Sequence, residues 1–278
     1  MSLTVPDVKE LESIAHELRV TIVDMIHKAG SGHVGGSLSM CEILSVLYYA
    51  ELNVDPKNPR DPRRDRFILS KGHGAPALYA VLARKGFFPE KELWTLRQTG
   101  SKLQGHPDMN KVPGIDISSG SLGMGTSFGI GTALGARLNG LPYRTYVVTG
   151  CGEMDEGQNW EAFMCAAKYG LDNLVVIVDY NRVQLDGTNE EIMPLAVLEQ
   201  KLAAFNWHVV ECDGHSVAAL LTALKEARDT KGKPTVIVAH TVKGKGVSFM
   251  EHRHEWHGKE IDDESYEQAL RELKGAKA

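Results

Sequence analysis

The sequence predicts an α/β fold, a parallel sheet with helices on both faces. Three observations carry that expectation. Short apolar runs rich in β-branched residues recur at 146–148, 174–178 and 234–239. Helix-length segments separate them. The first two runs end in glycine or polar loops, Gly150 and Asp179-Tyr180-Asn181. A strand that is apolar on both faces must be covered on both, and the intervening helices supply the cover.

The elements follow in order. Leu11, Ile14, Leu18, Ile22 and Met25 recur at helical spacing, so roughly the first 28 residues form an amphipathic helix. Residues 39–50 predict a second, more buried helix. A turn rich in Asp-Pro and Asn-Pro pairs follows at 55–62. Residues 67–69 predict a short strand leading into Gly72-His73-Gly74, and 75–85 a helix. Further on, helices are expected at 159–169, 195–205 and 217–230, and strands at 146–148, 174–178, 207–210 and 234–239. Parallel sheets of this kind bind ligands beyond the carboxyl ends of their strands. The loops after Val148, Asp179 and Ala239 are therefore the places for a site.

The 278 residues contain no 20–50-residue repeat, low-complexity tract or linker, which predicts a single domain over 1–278 with an N-terminal helical segment. Hydrophobic residues at 42% and charged residues at 24% exclude wholesale disorder. A net charge of −5 lacks the basic footprint of a nucleic-acid binder. No apolar run reaches the ~18 residues of a membrane span. The start, MSLTVPDVKELES, has no basic region followed by an apolar core, so no secretory leader is expected. Cys41, Cys151, Cys165 and Cys212 include no CxxC pair, which argues against a zinc knuckle or a thioredoxin motif. Cys41 and Cys165 fall in helical patterns and are expected to be small buried thiols. A reducing cytoplasm fits this usage.

The stretch 120–135, GSLGMGTSFGIGTALG, approaches a dinucleotide fingerprint. Its glycines lie in a helical pattern rather than after a strand, so close helix packing explains them better. The loop Thr149-Gly150-Cys151-Gly152-Glu153 is more informative. It lies between a strand and a helix, where backbone N–H groups face a bound anion and glycine lets the backbone approach closely. The next strand ends at Asn181, and two neighbouring strand ends could hold one diphosphate–metal group. Three histidines, His33, His73 and His106, sit in glycine-flanked loops and suggest a cavity lined for a polyhydroxylated substrate. After the last strand come Lys243-Gly244-Lys245-Gly246 and then His252, His254 and His257. Anion or substrate contact is the favoured reading of that loop, with a metal site or a solvated basic loop as alternatives.

The chain resembles the N-terminal half of a transketolase, specifically the separate N-terminal subunit of a split transketolase. The resemblance rests on SGHVGGSLS, ILSKGHGAPALYA, GHPD, GSLGMG, GCGEMDEGQNWEA, LDNLVVIVDYNRVQLDG and KGKGVSF…EWHGK, in the family's order over nearly the whole chain. It implies thiamine diphosphate and a divalent metal, usually magnesium, held through a GDG…N motif. By that resemblance Asn181 binds the metal through its side chain and Val183 through its carbonyl, with Cys151 at the third metal position. Gly152 and Glu153 lie by the diphosphate, and Gly120, Ser121 and Leu122 near the cofactor. His33, His73, His106 and His257 line the substrate channel, with Lys243 beside His257. Glu156 touches the partner's cofactor-activating network, and His254 belongs to the same loop as His257.

The implied reaction transfers a two-carbon ketol unit from a ketose phosphate to an aldose phosphate. Histidines suit its proton transfers because their ordinary pKa lies near working pH. The implied partner is a C-terminal, pyrimidine-binding subunit, in a complex of two copies of each chain. Three departures stand out. Cys151 replaces the family's metal-binding aspartate. Val34 replaces a proline, which is expected to reshape the substrate channel slightly. The sequence ends at Ala278, after one domain. The alternatives are the α subunit of a 2-oxo acid dehydrogenase E1 component, against which the histidine set argues, and a non-catalytic cofactor-binding subunit, which Cys151 brings to mind.

Overall fold

The computed structural model describes residues 6–275. The first five residues of the N-terminal stretch, and the last three of the chain, lie outside them. The described chain forms ten α-helices, α1 (Val8–Ala29), α2 (Gly35–Leu38), α3 (Cys41–Val46), α4 (Ala75–Lys85), α5 (Met124–Leu138), α6 (Gly157–Lys168), α7 (Asn189–Ile192), α8 (Leu198–Ala204), α9 (Val217–Asp229) and α10 (Asp263–Gly275). Its strands are β1 (Arg66–Leu69), β2 (Thr145–Gly150), β3 (Leu174–Tyr180), β4 (His208–Asp213) and β5 (Thr235–His240). All pairs are parallel, in the order β1-β2-β3-β5-β4.

Successive strand residues point to opposite faces, and both faces are apolar. Val148, Val175, Ile177 and Ile237 pack with α1, α3, α4 and α9 on one side. Val147, Val176, Val178 and Val236 pack with α5, α6 and α8 on the other. This is the two-sided cover that the uninterrupted apolar runs require. α1 starts where Asp7 accepts a hydrogen bond from the Glu10 N–H and stops at Gly30, whose φ of 62° ends the helix. On α5, a Cβ at Gly129 would meet Val147 at 2.5 Å and one at Gly125 would meet Ser70 at 2.3 Å. These glycines let the helix lie against the strand ends, as the packing reading of that stretch expected.

The structure departs from expectation in four places. The helix expected at 39–50 begins only with α3, because Met40 leaves helical geometry at φ −109°, ψ 16° and Ser39, which ends α2, turns its hydroxyl to Asp179. The chain then closes in a π-turn at Leu47–Glu51. The helix expected at 195–205 is only α8, since Ala196 takes φ 49° and blocks an earlier start. Cys41 is buried as expected, but Cys165 faces partly outward from α6. Val34 is fully buried at φ −75°, which proline would also adopt, so its backbone follows the path a proline would take.

Candidate active site

The register puts Gly150 beside Asp179, and Asp179 beside Ala239. The carboxyl ends of β2, β3 and β5 therefore lie side by side. The loops that leave them enclose a cleft of about 320 Å³. His33, His73, His106 and His257 line it, with Gly120, Leu122, Cys151, Gly152, Glu153, Asn181, Val183 and Lys243. Ser121 is exposed beside it. Glu156 is also exposed and does not line it, although a Cβ on Gly123 would touch its stem at 2.8 Å. His254 points away into solvent, near Glu255. Val34 is not a lining residue. A wider groove of about 520 Å³ lies at the opposite end of β1, between residues 59–66 and 109–116, and holds no histidine.

Three histidines form a triangle. The ring centres of His33 and His73 are 5.2 Å apart, those of His33 and His257 5.3 Å, and those of His73 and His257 5.0 Å. His106 sits at the mouth, its ring against Gly120. Burial, and then nearby Lys71, push the His73 pKa down to about 2. Burial followed by Lys243 takes His257 to about 3, and burial followed by Arg97 takes His33 to about 4. At neutral pH these imidazoles are uncharged. This corrects the expectation of titration near working pH: desolvation beside fixed cations makes the trio neutral donors and acceptors.

Beneath the histidines lies a buried polar layer. The Asp179 carboxylate receives hydrogen bonds from Lys71, Ser39, Thr241 and the Asn181 amide. Burial works against its charge, but the Lys71 ammonium prevails and holds its pKa below the ordinary value. Because the Asn181 Nδ2 donates to Asp179 at 3.2 Å, its Oδ1 faces the loop, where the Val183 N–H donates to it at 3.1 Å. Glu153 accepts from Ser70, from the Gly123 N–H at 2.8 Å and from the Gly150 N–H at 3.0 Å. It thus ties together three loops of the cleft, and burial raises its pKa. The Lys243 ammonium donates to the carbonyls of Val183 and Gln184, at 3.2 and 2.7 Å, and to His257 Nδ1 at 2.8 Å.

The donor set suits an anionic, hydroxylated ligand: Lys243 supplies a charge that no carboxylate contacts, whereas Lys71 is paired with Asp179, and His33 Nδ1 is buried without a partner. Thiamine diphosphate is compatible with it. Magnesium is matched only in part. Asn181 Oδ1 and the Val183 carbonyl are hard oxygens, but Cys151 Sγ stands 3.7 Å from Asn181 Oδ1 and 3.6 Å from Asn189 Oδ1 as a buried thiol. Burial raises its pKa and keeps it neutral, a poor partner for a hard cation. Among the described residues, no group of three or more His, Cys, Asp or Glu could hold a metal ion.

The sequence reading passed over Lys71, Asp179 and Arg97. Lys71 and Asp179 were visible as charged residues at the ends of apolar strands, where burial demands a partner. Arg97 acts electrostatically on His33 and His106, and its backbone takes φ 59°. Nothing in its sequence context marks it.

Residues 11–277 match the family described as "Transketolase, thiamine diphosphate binding domain". The chain is 46% identical to the 6-deoxy-6-sulfo-D-fructose transketolase subunit SqwG of Clostridium sp. (strain MSTE9), over 95% of this chain and 96% of that one. It is 42% identical to an apulose-4-phosphate transketolase subunit of Phocaeicola vulgatus, over 96% and 94%. Among solved structures, the Campylobacter jejuni transketolase superposes with a TM-score of 0.91 at 30% identity, over 97% of this chain and 43% of that one. The Leishmania mexicana transketolase gives 0.89 at 31%, over 95% and 41%. The chain thus spans about two-fifths of those solved transketolases, and nearly the full length of the two subunits. With the family matched over almost every residue and the cleft at the strand ends, the chain belongs to the transketolase family, as its thiamine diphosphate binding domain.

Proposed function

We propose that the chain, as a single domain over 1–278, is the diphosphate-binding subunit of a two-chain transketolase that moves a two-carbon ketol unit from a ketose phosphate to an aldose phosphate. The observation that carries this is the triangle of neutral histidines above a lysine-lined floor. It is suited to polarise carbonyl and hydroxyl groups without placing further charge beside them. Thiamine diphosphate, if bound there, would supply the nucleophilic carbon that ketol transfer needs.

This chain's own residues bind and orient. Lys243, Gly152 and the 150–153 loop face the diphosphate, Asn181 and Val183 offer oxygens to a divalent cation, and 120–122 pack by the cofactor. His33, His73, His106 and His257 contact the sugar hydroxyls and carbonyl. Magnesium is the proposed cation, held weakly because Cys151 supplies no charge. Glu156, exposed and with its stem near Gly123, is the residue we assign to the contact with a partner chain. We assign that partner as a C-terminal, pyrimidine-binding subunit, in a complex of two copies of each chain. The proposed location is the cytoplasm; no described helix is long and apolar enough to cross a membrane.

The test is ketol transfer by this chain alone and by the chain with its candidate partner. The substrates are pentose phosphates, a sulfonated ketose and a branched ketose phosphate, with pyruvate decarboxylation as control. Activity only in the pair supports the proposal. Full activity of the lone chain, or pyruvate decarboxylation by the pair, overturns it. Thiamine diphosphate titration of the pair tests the rival reading prompted by Cys151: cofactor bound without turnover of any of these sugars would indicate a non-catalytic subunit.

A further inference from the structure

His215 lies in the β4–α9 loop and is absent from the cleft lining. Its ring is nevertheless fully engaged. The Val242 N–H donates to its Nε2 at 2.8 Å. A ring nitrogen that accepts carries no proton, so the proton is on Nδ1, which donates to Glu42 Oε2 at 3.0 Å. Glu42 is itself gripped by Arg19, at 2.6 and 2.5 Å. The Asp213 carboxylate accepts from the His215 backbone N–H and caps the turn. Helices α1 and α3 thus hold one edge of an imidazole whose other edge accepts from the backbone immediately before Lys243.

The Lys243 segment is fastened from other sides as well. The Gly244 N–H donates to the Gly35 carbonyl at 3.0 Å, and the His252 N–H to the Lys243 carbonyl at 3.0 Å. The lysine stem lies so close to Gly35 that a Cβ there would meet it at 2.9 Å. At its end, all three ammonium protons are used, one of them on His257 Nδ1. An ammonium only donates, so Nδ1 accepts and the His257 proton must lie on Nε2.

We infer that His215 is a positioning residue: by accepting from Val242 it holds the loop so that Lys243 keeps His257 in the Nε2–H tautomer. A lysine stem is flexible and a hydrogen bond weakens steeply with misalignment, so freeing the loop at Val242 releases the choice of tautomer. The kinetic consequence rests on the function proposed above; the tautomer does not.

Two substitutions separate the halves of the His215 contact. In His215→Gln the amide oxygen can stand where Nε2 stood and still accept from Val242. In His215→Asn the shorter side chain reaches only toward Glu42. The full chain, labelled with 15N-histidine, is examined by long-range proton–nitrogen correlation, with His257→Gln to assign the signal. Expected are a single Nε2–H tautomer for His257 in the wild type and in His215→Gln, and a mixture in His215→Asn. In the reconstituted pair, His215→Asn should lower kcat/KM by about 10–100-fold, as loss of an orienting partner does, with its melting temperature near that of His215→Gln. A wild-type His257 protonated on Nδ1 overturns the inference, whether or not either variant folds. So does an unchanged His257 signal in His215→Asn, or activity that falls in both variants only in step with stability. The spectroscopic arm decides the matter even if the wild-type pair transfers no ketol unit, a result that counts against the functional reading alone.

Discussion

The Lys71 ammonium lies 2.5 Å from the Asp179 carboxylate, with both side chains shut away from water at the floor of the cleft. Removing one partner of such a pair leaves a bare buried charge, which costs about 3–5 kcal/mol. Lys71→Met should therefore lower unfolding stability by that amount in urea. The double variant Lys71→Met/Asp179→Asn should recover much of it, since no charge is then left buried and the amide still pairs with the hydroxyls of Ser39 and Thr241. Equal losses in single and double variants would show that the ion pair is not the source.

The same pair sets an acid limit. The Asp179 pKa is held below its ordinary value, the first opposing influence being burial and the prevailing one Lys71. A carboxylate depressed in the folded state contributes stability above its unfolded value of about 3.9. That contribution is lost as pH falls through the folded value. Wild-type stability should thus fall between pH 5 and still lower values more steeply than that of the double variant, as read by urea unfolding at several pH values.

The cleft histidines are predicted to matter for turnover and not for cofactor capture. His106→Ala and His257→Ala should leave thiamine diphosphate binding by the pair nearly intact and lower kcat/KM. Loss of one transition-state donor typically costs about 2.7–4 kcal/mol. Wild-type kinetics should show no ionisation of His33, His73 or His257 between pH 5 and 8, because burial, with Arg97, Lys71 and Lys243 in turn, brings them down to about 4, about 2 and about 3. Unchanged kinetics in both variants would return these residues to a solvated role.

A further pH effect concerns Lys243. Burial, reinforced by Lys71, lowers its pKa to about 8. An ammonium that deprotonates there loses its attraction for a diphosphate, so the cofactor dissociation constant should rise as pH passes about 8. A bound diphosphate favours the charged form and moves that midpoint upward. Calorimetric titration from pH 6.5 to 9.5 reads the trend, and a flat profile would show that the Lys243 charge does not attract the diphosphate.

Much of this was legible in the sequence, for physical reasons. Apolar runs such as Leu174–Tyr180 announce a strand buried on both faces, and the residues that end them announce the cleft. The His33, His73 and His106 loops stood out because glycine flanks each ring. What stayed hidden depends on distance in three dimensions. The depressed histidine pKa values arise from burial and then from Lys71, Lys243 and Arg97, which only folding brings near. The contact of His215 with Val242 joins residues 27 positions apart. The late start of α3, after Met40, goes with Ser39 reaching Asp179, 140 residues away, which helical periodicity cannot register.

Cys151 gives the sharpest test of the metal site. The residue is 1% exposed, with its sulfur 3.7 Å from Asn181 Oδ1 and 3.6 Å from Asn189 Oδ1. An aspartate there would bring a charge facing two amide oxygens. Asn189 Nδ2 is buried without a partner, so a flip of that amide could offer the new carboxylate one donor. One neutral donor does not offset a buried charge, so the metal-free Cys151→Asp chain should melt below the wild type. Magnesium with thiamine diphosphate should raise its melting temperature further than it raises that of the wild type, because the cation then meets an anionic oxygen beside Asn181 and Val183. Loss of even an orienting partner weakens a metal site by about 10–100-fold, so restoring a charged ligand should tighten it at least as much. The measurement is a magnesium titration followed by thiamine diphosphate binding, in the reconstituted pair, for both forms. The expected result is weak magnesium dependence in the wild type and a midpoint at least about tenfold lower in Cys151→Asp. Equal midpoints would mean that position 151 does not face the metal, and the cation would then have to be placed elsewhere in the cleft.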